Sequence, residues 1–178
     1  GGPRLVEETG LWSQPGVFSW DKFDAGSVML AAELPRLSGV GADFGCGIGL
    51  LARGVLAASP DVVRLTLVDL DRRAVDCARR NVMDARARFA WADVRDLAFD
   101  ADGVDFVVMN PPFHDGGAED RTLGQSFIRR AAEILKPGGS CWLVANRHLP
   151  YEAEMASLFK GMRAVVQRDG YKVYEAVR

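Results

Sequence analysis

The chain has 178 residues, of which 48% are hydrophobic and 26% charged, and its net charge is −2. This composition is typical of a globular domain with one buried core. No apolar run is long enough to cross a bilayer, no secretory signal opens the chain, and the net charge alone does not indicate a nucleic-acid binder. Three cysteines without Cys-x-x-Cys spacing argue against a zinc site and a disulfide framework, so we expect no metal and a reducing cytoplasm.

The charges are unevenly distributed along the chain. Residues 121–178 contain 10 Lys and Arg against 5 Asp and Glu. Such a basic region could attract phosphate groups. The alternative is that these charges are scattered over solvated helices and hairpins, and the sequence leaves both interpretations open.

Helices and strands are predicted to alternate after an irregular start over residues 1–20, where Pro and Gly recur. In chain order, the periodicity predicts a helix at 26–34, a strand at 40–44, a helix at 50–58, a strand at 64–68, a helix at 72–83, strands at 88–90 and 104–109, a helix at 123–135, a strand at 140–145 and a helix at 151–159. Residues 164–168 and 171–177 read as two strands joined by Asp169-Gly170, a preferred hairpin turn. We therefore predict an α/β fold with a seven-stranded, mostly parallel sheet, a C-terminal antiparallel hairpin and helices on both faces.

A glycine-rich turn follows the first strand of this predicted sheet. Gly45, Gly47 and Gly49 permit positive φ angles and close approach of a ligand to the backbone. A dinucleotide-binding fingerprint would require glycine where Leu50 stands. Instead, Asp43 places a carboxylate at the strand end, which suits a cationic ligand. S-adenosylmethionine carries an ammonium and a sulfonium and has no phosphate, so the turn favours this cofactor.

Two further acids follow the next two strands. Asp69 could accept hydrogen bonds from ribose hydroxyls, whereas the nearby Asp71 is interpreted as the N-cap of the following helix. Asp93 could accept from the adenine amine, and Trp91 could either flank the adenine ring or pack in the core. Acids at three successive strand ends predict an S-adenosylmethionine site. The alternative is a nucleotide-free scaffold in which these acids are turn residues or caps.

The tetrapeptide Asn110-Pro111-Pro112-Phe113 follows the apolar strand at 104–109. The Asn110 side-chain oxygen and the Pro111 carbonyl are two acceptors in a stiff frame, and they match the two donors of a planar NH₂ group. Phe113 could stack on a base, a contact worth about 1–3 kcal/mol. We therefore predict that Asn110, Pro111 and Phe113 promote methyl transfer to a planar amine by orientation and electrostatics. A purely structural double-proline turn is the alternative.

Two histidines lie near these elements. His114 could act as an acid or base, or it could orient the loop or contact phosphate. His148 could line the pocket or lie on the surface.

Taken together, these motifs resemble the class I S-adenosylmethionine-dependent methyltransferases, which have a Rossmann-like fold. More narrowly, the chain is similar to the catalytic domain of the 16S rRNA guanine-N2 methyltransferases, of the small methyltransferase domain family. The resemblance covers nearly all of residues 15–178 and is carried by residues 15–27, 110–116, 144–151 and 171–176. Asn-Pro-Pro-Phe alone also occurs in adenine-N6 and protein-glutamine methyltransferases, whereas the following His-Asp-Gly and the Pro-Gly-Val-Phe-Ser segment favour guanine N2.

The resemblance implies that Phe18, Ser19 and Asp24 form a lid over cofactor and base, and it assigns Pro112 and His114 to the substrate side. It also implies S-adenosylmethionine as cofactor and ribosomal RNA or the small ribosomal subunit as partner. We expect a lid segment at residues 1–25 and a methyltransferase domain at 26–178.

This chain departs from the family pattern in two respects. Relatives commonly carry an N-terminal duplicated domain that this chain lacks, so it is either the C-terminal half of a longer protein or a trimmed relative. Trp20 and Lys22 stand where Arg- or Gly-like residues are expected. The alternatives that remain are adenine-N6 or protein glutamine-N5 methylation and a non-catalytic RNA-binding module that keeps the fold.

Overall fold

A computed structural model describes residues 1–113 and 117–178. Its strands are β1 (Arg4–Val6), β2 (Leu11–Ser13), β3 (Gly39–Phe44), β4 (Val62–Asp69), β5 (Ala87–Trp91), β6 (Val104–Met109), β7 (Leu135–Asn146), β8 (Gly161–Arg168) and β9 (Tyr171–Val177). Its helices are α1 (Ala25–Glu33), α2 (Leu50–Ala58), α3 (Arg72–Asn81), α4 (Ala118–Ile134) and α5 (Glu152–Leu158).

Seven of the strands form one sheet in the order β5-β4-β3-β6-β7-β9-β8. The pairs from β5 to β7 are all parallel, and β9 is antiparallel to both β7 and β8. Asp169 and Gly170 have φ angles of 53° and 82°, as a two-residue type I′ hairpin turn requires. The predicted mostly parallel sheet with a C-terminal antiparallel hairpin is therefore confirmed.

The sheet is buried on both faces, which explains why its central strands are continuous apolar runs. One core lies between the sheet and helices α4 and α5, where Phe127, Ile128 and Met155 are buried. The other core lies between the opposite face and helices α1, α2 and α3, where Leu30 and Val55 are buried. The predicted arrangement of helices on both faces is confirmed.

Two parts of the sequence prediction were wrong. Residues 1–20 were expected to be irregular, but β1 and β2 form an antiparallel hairpin that packs against α3. Pro137-Gly138-Gly139 was expected to precede a new strand, but it lies inside β7. The pairing of β7 with β6 shifts register between Val104 and Phe106. Residues 137–139 therefore form a bulge, and β7 continues beyond it.

Gly41 of β3 allows the central strands to pack closely. A Cβ atom there would lie 2.1 Å from Cζ of the buried Phe106 ring. By contrast, Gly54 lies within α2, and a Cβ atom there would have no neighbour within 4 Å. The two glycines form a matched pair for testing the packing of the sheet.

We expect Gly41→Ala to lower the free energy of unfolding by about 1–3 kcal/mol, because the added methyl overpacks the core. Gly54→Ala should instead raise it by about 0.5–1 kcal/mol, because alanine loses less entropy in a helix. Urea denaturation of both variants measures the difference. Equal stabilities would contradict the packing of Phe106 against β3.

Candidate active site

A cavity of about 410 Å³ opens at the carboxyl ends of β3 and β6. In an open α/β sheet the strand order reverses here, and ligands typically bind at this point. The volume is in the range of pockets for small molecules and cofactors. Its walls come from six parts of the chain: residues 16–19, the start of α1, the glycine turn, the end of β4 with the start of α3, the loop after β6, and Leu123 and Phe127 of α4.

The glycine turn has positive φ at Gly45, Gly47 and Gly49, with values of 72°, 54° and 95°. Gly45 and Gly47 line the cavity. Gly49 does not line it. It is the N-cap of α2, and a Cβ atom there would lie 2.8 Å from Cγ2 of Val82. Gly49 is therefore needed for the packing of α2 against the end of α3, whereas the other two leave the backbone open to a ligand.

Asp69 connects the end of β4 to the glycine turn. Its Oδ2 accepts a hydrogen bond from the Gly47 amide at 2.8 Å, and its Oδ1 accepts from the Asp71 amide at 2.8 Å. Burial raises the pKa of this carboxyl group. Because Asp69 also lines the cavity, its remaining lone pairs are available to a ligand.

Asp43 is almost completely buried at the end of β3 and is not among the cavity-lining residues. Burial, and then the nearby charge of Asp69, raise its pKa to about 8. Within residues 1–113 and 117–178, its Oδ2 has no hydrogen-bond partner. A buried carboxylate oxygen without a partner is rare in folded proteins and indicates that a bound water or ligand completes the site.

The third predicted acid is differently placed. Asp93 forms an ion pair of 2.5 Å with Arg95, whose hydrogen bonds lower the pKa of the carboxyl group, and it lies outside the cavity lining. Trp91 is 62% exposed, so the interpretation of this residue as part of the core was wrong. Asp71 accepts from the Arg73 amide at 2.9 Å, and its predicted role as the N-cap of α3 is confirmed.

Asn110 is held by the first turn of α1. Its amide nitrogen donates to Oδ2 of Asp24 and, at 3.1 Å, to Oγ of Ser27. Asp24 is also the N-cap of α1 and accepts from the Ser27 amide at 3.2 Å and the Ser27 hydroxyl at 2.7 Å. A Cβ atom on Gly26 would lie only 3.1 Å from the Asn110 nitrogen. Both amide hydrogens of Asn110 thus have acceptors, and its side-chain oxygen remains as the group available to a ligand.

The other predicted residues divide into two groups. Phe18, Ser19 and Pro112 line the cavity, and Phe18 is 62% exposed. Pro111 and Phe113 do not line it, and Phe113 packs partly against the core beside α4. His114 lies outside the described residues.

Among the residues that position the site, Ser27 and Asn81 were missed by the sequence reasoning. Ser27 follows Asp24 at the spacing of a helix cap, which was a usable signal. Asn81, at the end of α3, accepts from the Trp12 amide at 2.7 Å and donates at 2.8 Å to the carbonyls of Trp12 and Ile48. It therefore joins the N-terminal hairpin to the glycine turn, and no local sequence pattern marks this role.

Residues 1–113 and 117–178 include neither a membrane-spanning helix nor a cluster of metal-ligating side chains. No helix in the described parts of the chain is long and apolar enough to cross a membrane. Those same residues contain no group of three or more His, Cys, Asp or Glu side chains arranged to hold a metal ion.

The sheet order, the antiparallel last pair and the cavity at the switch point define a Rossmann-like class I methyltransferase fold. The chain belongs to the methyltransferase small domain family, whose model matches residues 8–175.

The similar proteins include some named as methyltransferases of small-subunit ribosomal RNA and one named as a methyltransferase of large-subunit ribosomal RNA. Ribosomal RNA small subunit methyltransferase C of Shewanella pealeana is 37% identical over 164 residues, which are 92% of this chain and 48% of that protein. Ribosomal RNA large subunit methyltransferase G of Shewanella amazonensis is 33% identical over 195 residues, covering 100% of this chain and 50% of that protein.

A solved structure matches closely. The 16S rRNA N2 G1207 methyltransferase of T. thermophilus, in complex with AdoMet and guanosine, matches with a TM-score of 0.79 and 28% identity. The match covers 99% of this chain and 49% of that one. The chain thus spans about half the length of the relatives that it matches.

The buried Asp43 predicts a specific pH dependence of stability. Below pH 3.8 its carboxyl group is protonated in both the folded and the unfolded protein. Between that value and about pH 8, the unfolded chain ionises while the folded protein does not, which costs about 1.4 kcal/mol of folding free energy per pH unit. Asp43→Asn carries no such charge, so we expect the stability of this variant relative to the wild type to rise across this range. Chemical denaturation without ligand at several pH values measures it, and a constant difference would mean that ionised Asp43 has a partner in the folded protein.

Proposed function

We propose that the protein transfers a methyl group from S-adenosylmethionine to the exocyclic N2 amine of a guanine in small-subunit ribosomal RNA. The observation that carries the proposal is the set of hydrogen bonds made by the Asn110 side chain. Asp24 and Ser27 occupy both of its amide hydrogens, so it offers only an acceptor at the edge of the cavity. An amine donor is the complement of such a group.

The residues of the glycine turn fit the cofactor. Gly47 has a positive φ, and a Cβ atom there would have nothing within 4 Å, so ligand atoms can approach the backbone closely. Asp69 would accept hydrogen bonds from the ribose hydroxyls with the lone pairs that Gly47 and Asp71 leave free. The Asp43 carboxyl group, whose buried Oδ2 has no partner among the described residues, would ionise more readily when a ligand that carries an ammonium and a sulfonium is bound. When bound, the cofactor supplies an electrophilic methyl group.

The side chains around Asn110 would orient the amine. Asp24 accepts from the Asn110 amide, and this contact polarises the amide so that its oxygen becomes a stronger acceptor. The Asn110 oxygen would hold one N–H of the substrate amine and the Pro111 carbonyl the other, which fixes the plane of the amine and directs its lone pair. This is catalysis by orientation and electrostatics. The stacking of Phe113 on the base and the contact of Asp93 with adenine stay predictions.

The same proposal includes the lid segment, the RNA partner and the cellular compartment of the protein. Residues 1–25 are assigned to the lid and 26–178 to the methyltransferase domain, and the presence of Phe18, Ser19 and Asp24 in the cavity wall supports this division. A base inside a duplex is out of reach, so the target guanine must be flipped out or unpaired. Ribosomal RNA as substrate implies the cytoplasm.

Methyl transfer from labelled S-adenosylmethionine tests the proposal. The acceptors are naked 16S rRNA, small subunits, naked 23S rRNA and whole ribosomes, and nucleosides are mapped after digestion. Label in N2-methylguanine from 16S rRNA or small subunits supports it. Label in 23S rRNA, N6-methyladenine or protein glutamine, or no transfer with any acceptor, would overturn the assigned substrate.

We expect Asn110→Ala to reduce kcat by about 10²–10³-fold, because it removes a preorganised group that acts on the reacting amine. Its affinity for S-adenosylmethionine should stay near that of the wild type. Asp69→Ala is the matched control and should weaken cofactor binding in calorimetric titration. If Asn110→Ala weakened cofactor binding as much as Asp69→Ala does, the loop after β6 would belong to the cofactor site instead.

A further inference from the structure

Two arginines of α3 lie over two aromatic rings of the edge strand β5. The Arg72 guanidinium carbon is 5.7 Å from the centroid of the Trp91 ring, and that of Arg79 is 5.1 Å from the Phe89 ring. The arginines are seven residues apart on the helix, and the rings are two residues apart on the strand, so each pair shares a face of its element. We call Arg72, Arg79, Phe89 and Trp91 the arginine–aromatic shelf.

The two cations of the shelf are not neutralised by neighbouring acids. Among the described residues, no carboxylate lies within ion-pair distance of Arg72 or Arg79, and α3 carries four arginines against the single acid Asp76. The other carboxylates nearby are already paired: Asp71 with Arg73, Asp84 with Arg86 and Asp93 with Arg95. The positive charge of the shelf is therefore available to an external anion.

Trp91 is a large apolar side chain that is fixed and yet exposed. Its indole N–H donates to the Leu70 carbonyl at 2.9 Å, while 62% of the residue is accessible to solvent. Leu70 is itself 49% exposed and lines the cavity, as does the exposed Phe18. An apolar path thus leads from the cavity to the Trp91 ring, although Trp91 is not among the residues that line the cavity.

A similar pair extends the positive face onto the N-terminal hairpin. The Arg80 guanidinium lies 4.8 Å from the centroid of the Trp12 ring in β2. Arg80 follows Arg79 in the last turn of α3 and lines a separate pocket with Trp12, so exposed guanidiniums extend from Arg72, next to the cavity-lining Arg73, to the far end of the helix. Fixed cations next to an exposed aromatic ring are the combination with which proteins bind single-stranded nucleic acids.

We propose that the arginine–aromatic shelf binds the RNA strand next to the target nucleotide. One base stacks on Trp91, and the adjoining phosphates lie against Arg72 and Arg79. The inference rests on the proposed function for the identity of the nucleic acid, because the shelf recognises base faces and phosphates without reading sequence.

Fluorescence anisotropy with a fluorescein-labelled single-stranded RNA of mixed sequence, about 15 nucleotides long, tests the stacking contact. We expect Trp91→Leu to weaken binding about 5- to 150-fold, whereas Trp91→Phe, which keeps an aromatic face, should retain most of the affinity. Val63→Ala is the control for an exposed apolar residue, because Val63 is 68% exposed near the opposite end of β4. The same variants are titrated with S-adenosylmethionine, whose affinity should not change.

The salt dependence of the same binding tests the phosphate contacts. The variant with Arg72→Gln and Arg79→Gln should reduce the magnitude of the slope of log K against log salt by about 1.4, because each phosphate contact with a single strand contributes about 0.7. Arg36→Gln is the matched control, since Arg36 is exposed between α1 and the amino end of the central strand β3. Circular dichroism confirms that each variant is folded.

The shelf would be overturned if the Trp91→Leu variant kept the wild-type affinity and the double-arginine variant kept the wild-type slope, or if the wild-type protein did not bind the RNA. Loss of S-adenosylmethionine affinity in Trp91→Leu with unchanged RNA binding would also overturn it, since the ring would then serve the cofactor. The proposed function fails separately. If the variants lose RNA binding but the wild type transfers no methyl group to any acceptor, the shelf is supported and the assigned reaction is wrong.

Discussion

The parallel pairing of β3 with β6 is the constraint on which the site depends. The register places Phe44 beside Met109, so the residues that follow, Gly45 and Asn110, meet at the same edge of the sheet. A Cβ atom on Gly45 would lie 3.8 Å from the Asn110 carbonyl oxygen. The turn that suits a cofactor and the loop that suits an amine are therefore neighbours because of strand register. A slip of one residue would turn the buried side chains of β3 toward the wrong core, so burial on both faces fixes this distance firmly.

The electrostatics of this edge favour a bound ligand over an empty cavity. Burial raises the pKa of both Asp43 and Asp69, and the charge of Asp69 further disfavours the ionised form of Asp43. A cationic ligand would reduce the electrostatic repulsion between the two carboxyl groups. This reduction would contribute to the free energy of ligand binding.

The parts of the structure that were predicted from sequence are those with a local signal. The strand at 104–109 and the helix at 50–58 match their predicted bounds, because a continuous apolar run and a 3.6-residue period are visible within a short window. The hairpin of β1 and β2 has strands of only three residues and is stabilised by packing on α3. No short stretch of sequence therefore contains the contacts that stabilise it. Asn81 was missed for a similar reason. In the sequence it is an ordinary polar residue at a helix end. Its role depends on a contact with Trp12, which is 69 residues away in the chain.

The N-terminal residues act on both halves of the site at once. Through Asn81, the hairpin fixes the Ile48 carbonyl of the glycine turn. Further along, the Gly16 carbonyl accepts from Arg73, which also pairs with Asp71 next to the cavity. Asp24 then holds Asn110 across the cavity. Because three successive points of this segment contact the glycine turn through Asn81, the start of α3 and the loop after β6, a shift of the segment would move these parts relative to each other. Phe18 and Ser19 lie between the second and third of these points and both line the cavity, where Phe18 is exposed and Ser19 has a left-handed backbone.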